Sequence, residues 1–121
     1  MDLLYSGLAH MNETNTDVIQ GTLDMLILKT LSLEPMHGFG IARRIEQITQ
    51  NVFKVNPGSL LTALQRLERN GWLDSEWRVT ENSRRAKVYR LTSAGKKRLQ
   101  SETADWQRRS TAIARLLKAG A

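Results

Sequence analysis

The chain has 121 residues, 40% apolar and 25% charged, with a formal net charge of +6 and no cysteine. That is enough for one ordinary folded domain and a modest core, and it excludes a disulfide framework and thiol chemistry. No apolar run approaches the ~18 residues that span a bilayer, and residues 1–10 lack the basic start and small-residue end of a signal peptide.

Residues 1–16 read as a flexible leader, apolar at first and then rich in Asn and Thr. Met11 offers a second start, which would make residues 1–10 an upstream extension. Asp2, Glu13 and Asp17 are the only charges up to residue 17, so the positive excess belongs to the rest of the chain.

From Gly21 to Leu33, Leu23, Leu26, Ile27 and Leu31 recur at helical spacing, with Met25 and Leu28 widening the stripe. Asp17 or Thr22 is the expected cap, and Glu34-Pro35 ends the helix because proline disfavours the α region before it. Met36-His37-Gly38 reads as a turn that His37 helps to close. A second helix follows over about Phe39 to Gln50, burying Phe39, Ile41 or Ala42, Ile45 and Ile48. The third helix, Asn56–Gly71, has the best-marked ends: Asn56 is a good N-cap, Pro57 suits the first helical position, and Asn70-Gly71 is a stop. Its buried stripe is Leu60, Ala63, Leu64 and Leu67; its outer residues are Ser59, Thr62, Gln65, Arg66 and Arg69.

Trp72 to Val79 tends to alternate and Lys87 to Leu91 is β-branched and aromatic, which predicts a hairpin with Thr80 to Ala86 at its tip. Trp72 and Trp77 are expected to pack within this domain. Around the tip, Arg84, Arg85, Lys87, Arg90, Lys96, Lys97 and Arg98 face the single acid Glu81 between residues 81 and 100. Such a local excess attracts polyanions and releases their counterions. Thr92 or Ser93 caps a last helix to about Lys118. Its spine of Leu99, Trp106, Ile113 and Leu117, with Leu116 alongside, predicts packing on another chain, since a lone helix has little core of its own.

Three helices, a strand, a basic tip and a strand are the layout of a winged helix-turn-helix, mainly α with a small β hairpin, followed by a long C-terminal helix. A short helix with an apolar inner face and a small polar outer face fits the major groove of DNA. Asn56, Ser59, Thr62, Gln65, Arg66 and Arg69 are the expected DNA contacts on the third helix. Arg84, Arg85 and Lys87 of the tip reach backbone or minor groove, and the free N–H groups near Pro57–Ser59 suit a phosphate.

The chain resembles PadR-type transcriptional regulators over roughly Gly21 to Leu117. The resemblance rests on GTLDMLILKTL at 21–31, HGFGIARRI at 37–45, PGSLLTALQRLERNGWL at 57–73 and SRRAKVYRLTSAG at 83–95, followed by Trp106. It is nearest the short-tailed branch with a single dimerisation helix. It implies a homodimeric repressor on a pseudo-palindromic operator, released from DNA when a signal changes the spacing of its two domains. In some members the corresponding tryptophan lines a cavity between protomers and stacks on flat aromatic effectors. For Trp106 the first reading is packing at the dimer interface, with Leu99, Ile113 and Leu117, and the second is effector stacking. Four positions depart from the family pattern: Leu61-Thr62 replaces Tyr-Pro in the third helix, Ser83 replaces the glycine of a Gly-Arg-Arg tip, and Val88 replaces the first of two tyrosines.

The division expected is therefore a leader at 1–16, a winged domain at 17–92 and a dimerisation helix at 93–121. His10 and His37 have no ligand partners at metal spacing, and Gly38-Phe39-Gly40 lacks the strand and full fingerprint of a nucleotide loop. The sequence implies no metal, no cofactor and no catalytic grouping, and its expected place is the cytoplasm, on the nucleoid. Two rival readings are a sequence-neutral architectural DNA-binding protein and a winged-helix module that docks proteins.

Overall fold

The computed structural model describes residues 21–120; the leader and the proposed Asp17 cap lie outside the described residues. The chain is helical from the first described residue to residue 33 (α1). Then come β1 (Met36–His37), α2 (Gly38–Ile48), α3 (Pro57–Arg69), β2 (Leu73–Val79), β3 (Arg85–Leu91) and α4 (Ser93–Lys118). Among the described residues no helix is long and apolar enough to cross a membrane.

The apolar stripes of three helices meet over one end of the sheet. Leu23, Ile27, Leu28 and Leu31 of α1 pack with Ile41 and Ile45 of α2 and with Leu60, Ala63, Leu64 and Leu67 of α3; Leu73 and Tyr89 close the cluster from the sheet. Burying each large aliphatic side chain stabilises the fold by roughly 1.5–3 kcal/mol. The buried hydroxyl of Thr30 donates to the Leu26 carbonyl at 2.7 Å, so it leaves no polar atom unmatched in the core.

Several expectations are corrected. Thr22 lies inside α1 rather than before it. Met36-His37 is not a turn but a two-residue strand, with Met36 opposite Tyr89 and His37 opposite Val88 in a sheet ordered β1-β3-β2. Two residues are too few to show an alternation, so this strand had no periodic signature. His37 is also the N-cap of α2, its Nδ1 accepting from the Gly40 N–H at 3.1 Å. With α2 phased on Ile41 and Ile45, Phe39 points the opposite way and is 74% exposed. Ile48 lies on the inner side but in the last turn, beyond the core, and is 61% exposed. Gln50 and Asn51 both have positive φ, which ends the helix before Gln50.

The local signals at α3 act as expected. The Asn56 side chain accepts from the Ser59 N–H at 3.1 Å. Gly71 takes φ +78°, donating to the Glu68 carbonyl at 3.0 Å while Trp72 donates to Leu67 at 3.1 Å. These two bonds form a Schellman end, and a left-handed residue there favours glycine.

The start of α4 is joined closely to the winged body. Thr92 caps it through the Gly95 N–H at 3.0 Å and donates to the Gly71 carbonyl at 2.7 Å. Gly95 is buried so tightly that a Cβ there would stand 2.1 Å from the Trp72 carbonyl oxygen. Leu99, one turn further on, packs against the domain's own core. Beyond it Trp106, Ile113, Leu116 and Leu117 are exposed, Trp106 by 55% and Leu117 by 79%.

Candidate nucleic-acid interface

The helical phase of α3 decides what it can present. Leu60, Ala63, Leu64 and Leu67 are buried, so at 100° per residue the outermost line is Gly58, Thr62, Gln65 and Arg69. Gly58, Thr62, Gln65 and Arg69 are all exposed. Gly58 was left out of the expected side-chain contacts because it has no side chain to reach a base. Its place on the outer line brings bare backbone to the surface in the first turn. Thr62 Oγ1 donates back to the Gly58 carbonyl at 3.0 Å.

Ser59 and Arg66 lie on the flank facing α1, where Arg66 is paired with Asp24. Burial, as the largest influence, holds the Asp24 carboxyl above its usual pKa although the Arg66 guanidinium pulls it down, which marks this as a partly desolvated pair. On the other flank Glu68 accepts from Ser75 Oγ at 2.5 Å and pairs with Lys87 Nζ at 3.2 Å. The Ser75 hydrogen bond and the Lys87 charge together hold its carboxyl below its usual pKa. Asn56, Arg66 and Lys87 thus each have an internal partner. Thr62, Gln65, Arg69, Arg84 and Arg85 are exposed, and the three arginines make no ion pair among the described residues.

Strand pleating divides the wing in two. Asp74, Glu76, Arg78 and Arg90 share one face, where Arg90 Nε meets Asp74 at 2.9 Å and Arg78 Nε donates to Glu76 at 2.6 Å. The other face runs from buried Leu73 through Ser75 to Trp77 and Val79, opposite Leu91, Tyr89, Lys87 and Arg85. Trp77 was expected to pack within the domain, but it lies beyond the core and is 58% exposed; Trp72 does pack against the core. Between this face and the α2 and α3 helices runs a groove of about 960 Å³, lined by Phe39, Arg43, Leu61, Trp77, Arg84 and Arg85 among others.

The tip is shorter than the expected Thr80–Ala86. Thr80 N–H donates to the Arg84 carbonyl at 2.7 Å and Ser83 N–H to that of Thr80 at 3.0 Å. Ser83 has φ +58°, the left-handed region that costs an L-residue roughly 1–2 kcal/mol and glycine little. Ser83→Gly is therefore expected to raise unfolding free energy in urea by about 0.5 kcal/mol, glycine's greater unfolded entropy offsetting the rest. A fall in stability would show that the serine is not strained.

A second concavity, of about 530 Å³, lies between the start of the described α1 and the middle of α4, lined by Thr22, Met25, Trp106, Arg109, Ser110 and Ile113 among others. Among the described residues no cluster of three His, Asp or Glu side chains could hold a metal ion.

Comparison with known proteins agrees with this arrangement. The sequence profile of the transcriptional regulator PadR-like family matches residues 27–101. An uncharacterized protein of Lysinibacillus sphaericus is 30% identical over 91 residues, covering 75% of this chain and 84% of the relative. Among solved structures, a transcriptional regulator from Clostridium thermocellum is 29% identical, with a TM-score of 0.77 over 84% of this chain and 99% of its own. A PadR family transcription regulator from Clostridium difficile is 25% identical, with a TM-score of 0.69 over 78% and 96%. The matched span runs from α1 through the wing into α4, so it includes the outer line of α3, the arginine tip and the joint at Gly95. This chain is a member of the PadR-like family of transcriptional regulators, with a DNA-binding winged helix and a long C-terminal helix.

Proposed function

We propose that the protein is a homodimeric repressor that binds a pseudo-palindromic operator in the cytoplasm, on the nucleoid. The observation that carries this reading is the outer line of α3, Gly58, Thr62, Gln65 and Arg69, exposed beside an arginine tip while every apolar side chain of the inner stripe is buried. In this reading α3 enters the major groove, where Thr62, Gln65 and Arg69 reach base edges and Ser59 a flanking phosphate, and Arg84 and Arg85 follow the backbone beside it. Asn56, Arg66 and Lys87 serve the site by holding it together, since each already has a partner.

The winged unit, 17–92, reads DNA, and the segment 93–121, which contains α4, pairs protomers. The second assignment rests on Trp106, Ile113 and Leu117, an exposed apolar seam with no core of its own; Leu99 anchors the same helix to its own domain. A flat aromatic effector fits the concavity beside Trp106, where a ring could stack. Occupancy there would alter the angle of α4 and so the separation of two recognition helices.

A footprint on the DNA upstream of the protein's own reading frame tests the function. The expected result is two protected patches about one helical turn (~10 bp) or a multiple apart, surviving an excess of mixed-sequence duplex. Uniform protection that the competitor removes would leave a sequence-neutral binder, and no protection a protein-docking module.

A further inference from the structure

On the inner face of the wing the cations differ in how they are held. Nearest the core, Lys87 is paired with Glu68 and lies 5.5 Å from the centre of the Tyr89 ring. At the tip, Arg84 is exposed with no ion pair among the described residues. Arg85 stands between them, without a carboxylate among the described residues but with its guanidinium 5.1 Å from the centre of the Trp77 ring. The register explains the contact: Trp77 faces Lys87 and Val79 faces Arg85, so Trp77 and Arg85 are diagonal neighbours on one face, within reach for an aromatic and a long side chain. Trp77 is largely exposed, contributes nothing to the core cluster, and has Arg85 above its ring in the groove between the wing and α3. A large apolar side chain left open to solvent at that point has a use if it orients the cation.

We infer that Trp77 is a positioning residue for DNA binding, its ring holding the Arg85 guanidinium in the groove so that the arginine meets a phosphate with little loss of side-chain freedom. The inference rests on the DNA-contacting role proposed for the wing. An unheld arginine loses much of its rotamer entropy when it binds. A guanidinium already resting on a ring has lost part of it, and it keeps its full charge and its five donors for the phosphate. Carboxylate pairing, as at Lys87, would instead neutralise the charge. The ring thus fixes the arginine without consuming it.

The test uses a mixed-sequence 40-bp duplex, with affinity read by fluorescence anisotropy between 50 and 200 mM salt, and thermal melts of every variant alongside. Arg85→Ala is expected to weaken binding about fivefold to tenfold and to lower the salt slope by about one. Trp77→Ala and Trp77→Leu should each weaken it about threefold with melting temperatures near the wild type, whereas Trp77→Phe, which keeps a ring face, retains most of the affinity. In the Arg85→Ala background Trp77→Ala should do nothing further. A threefold loss that persists in that background would mean the ring touches DNA itself, and equal retention by Leu and Phe would mean it acts only as bulk. Either result overturns the inference and leaves the wing reading intact. No effect of Arg85→Ala would instead remove the arginine contact, and the inference with it.

Discussion

Replacing Arg84 and Arg85 together by alanine should weaken binding to the duplex by about 30-fold to 100-fold at 50 mM salt and flatten the salt dependence by nearly two units. Each phosphate neutralised by a cation releases close to one counterion, so log affinity falls against log salt with a slope near −0.9 per contact. Both arginines are exposed and make no ion pair among the described residues, so no carboxylate among those residues competes for them. Lys87 provides the contrast within the same hairpin, because it is already paired with Glu68 at 3.2 Å. Lys87→Ala should change the slope by much less than either arginine. A double arginine variant with an unchanged slope would remove the wing from the interface and leave α3 to bind alone.

Gly95→Ala is expected to lower unfolding free energy by about 3 kcal/mol, the upper end of what overpacking typically costs, and so to lower the melting temperature by roughly 15 °C. The clash is with backbone rather than a mobile side chain: the added Cβ would meet the Trp72 carbonyl oxygen at 2.1 Å and Leu91 Cδ1 at 2.6 Å. Thr92 on one side and Leu99 on the other tie the same turn to the body, so α4 cannot retreat without giving up the hydrogen bond to Gly71 or the contact with the core. The expected readouts are an early thermal transition and a changed spacing of α4 on the winged body. A melt within 3 °C of the wild type would show that the joint yields easily.

The buried stripes were legible in the chain, and the partners of the polar groups were not. Leu60, Ala63, Leu64 and Leu67 could be read from spacing alone because a helix returns to the same face every three or four residues. Phe39 was misplaced because a period assigns a face only relative to a phase, and the phase of α2 is set by how Ile41 and Ile45 meet α1 and α3; Ile48 keeps that phase but lies in the last turn, past the end of the core. Trp77 was expected to pack within the domain. Its position decided otherwise: two residues further out on the pleat than Ser75, the same face has left the core.

The sequence by itself determined where α3 begins and ends, which of its faces is apolar, and that a basic tip follows two residue patterns able to pair as strands. Each of these is written within a few residues, in the Asn56 cap, Pro57, the Gly71 stop and the Arg84-Arg85 pair, so no distant partner is needed to read it. Tertiary structure alone decided which cations are held by partners among the described residues. Asp24 reaches Arg66 across 42 positions of sequence, Glu68 reaches Lys87 from helix to strand, and the Trp77 ring lies under Arg85 across the hairpin. The charge that a DNA backbone would meet is what remains after the two carboxylate pairings, and Coulomb attraction between side chains depends on their separation in space, not along the chain.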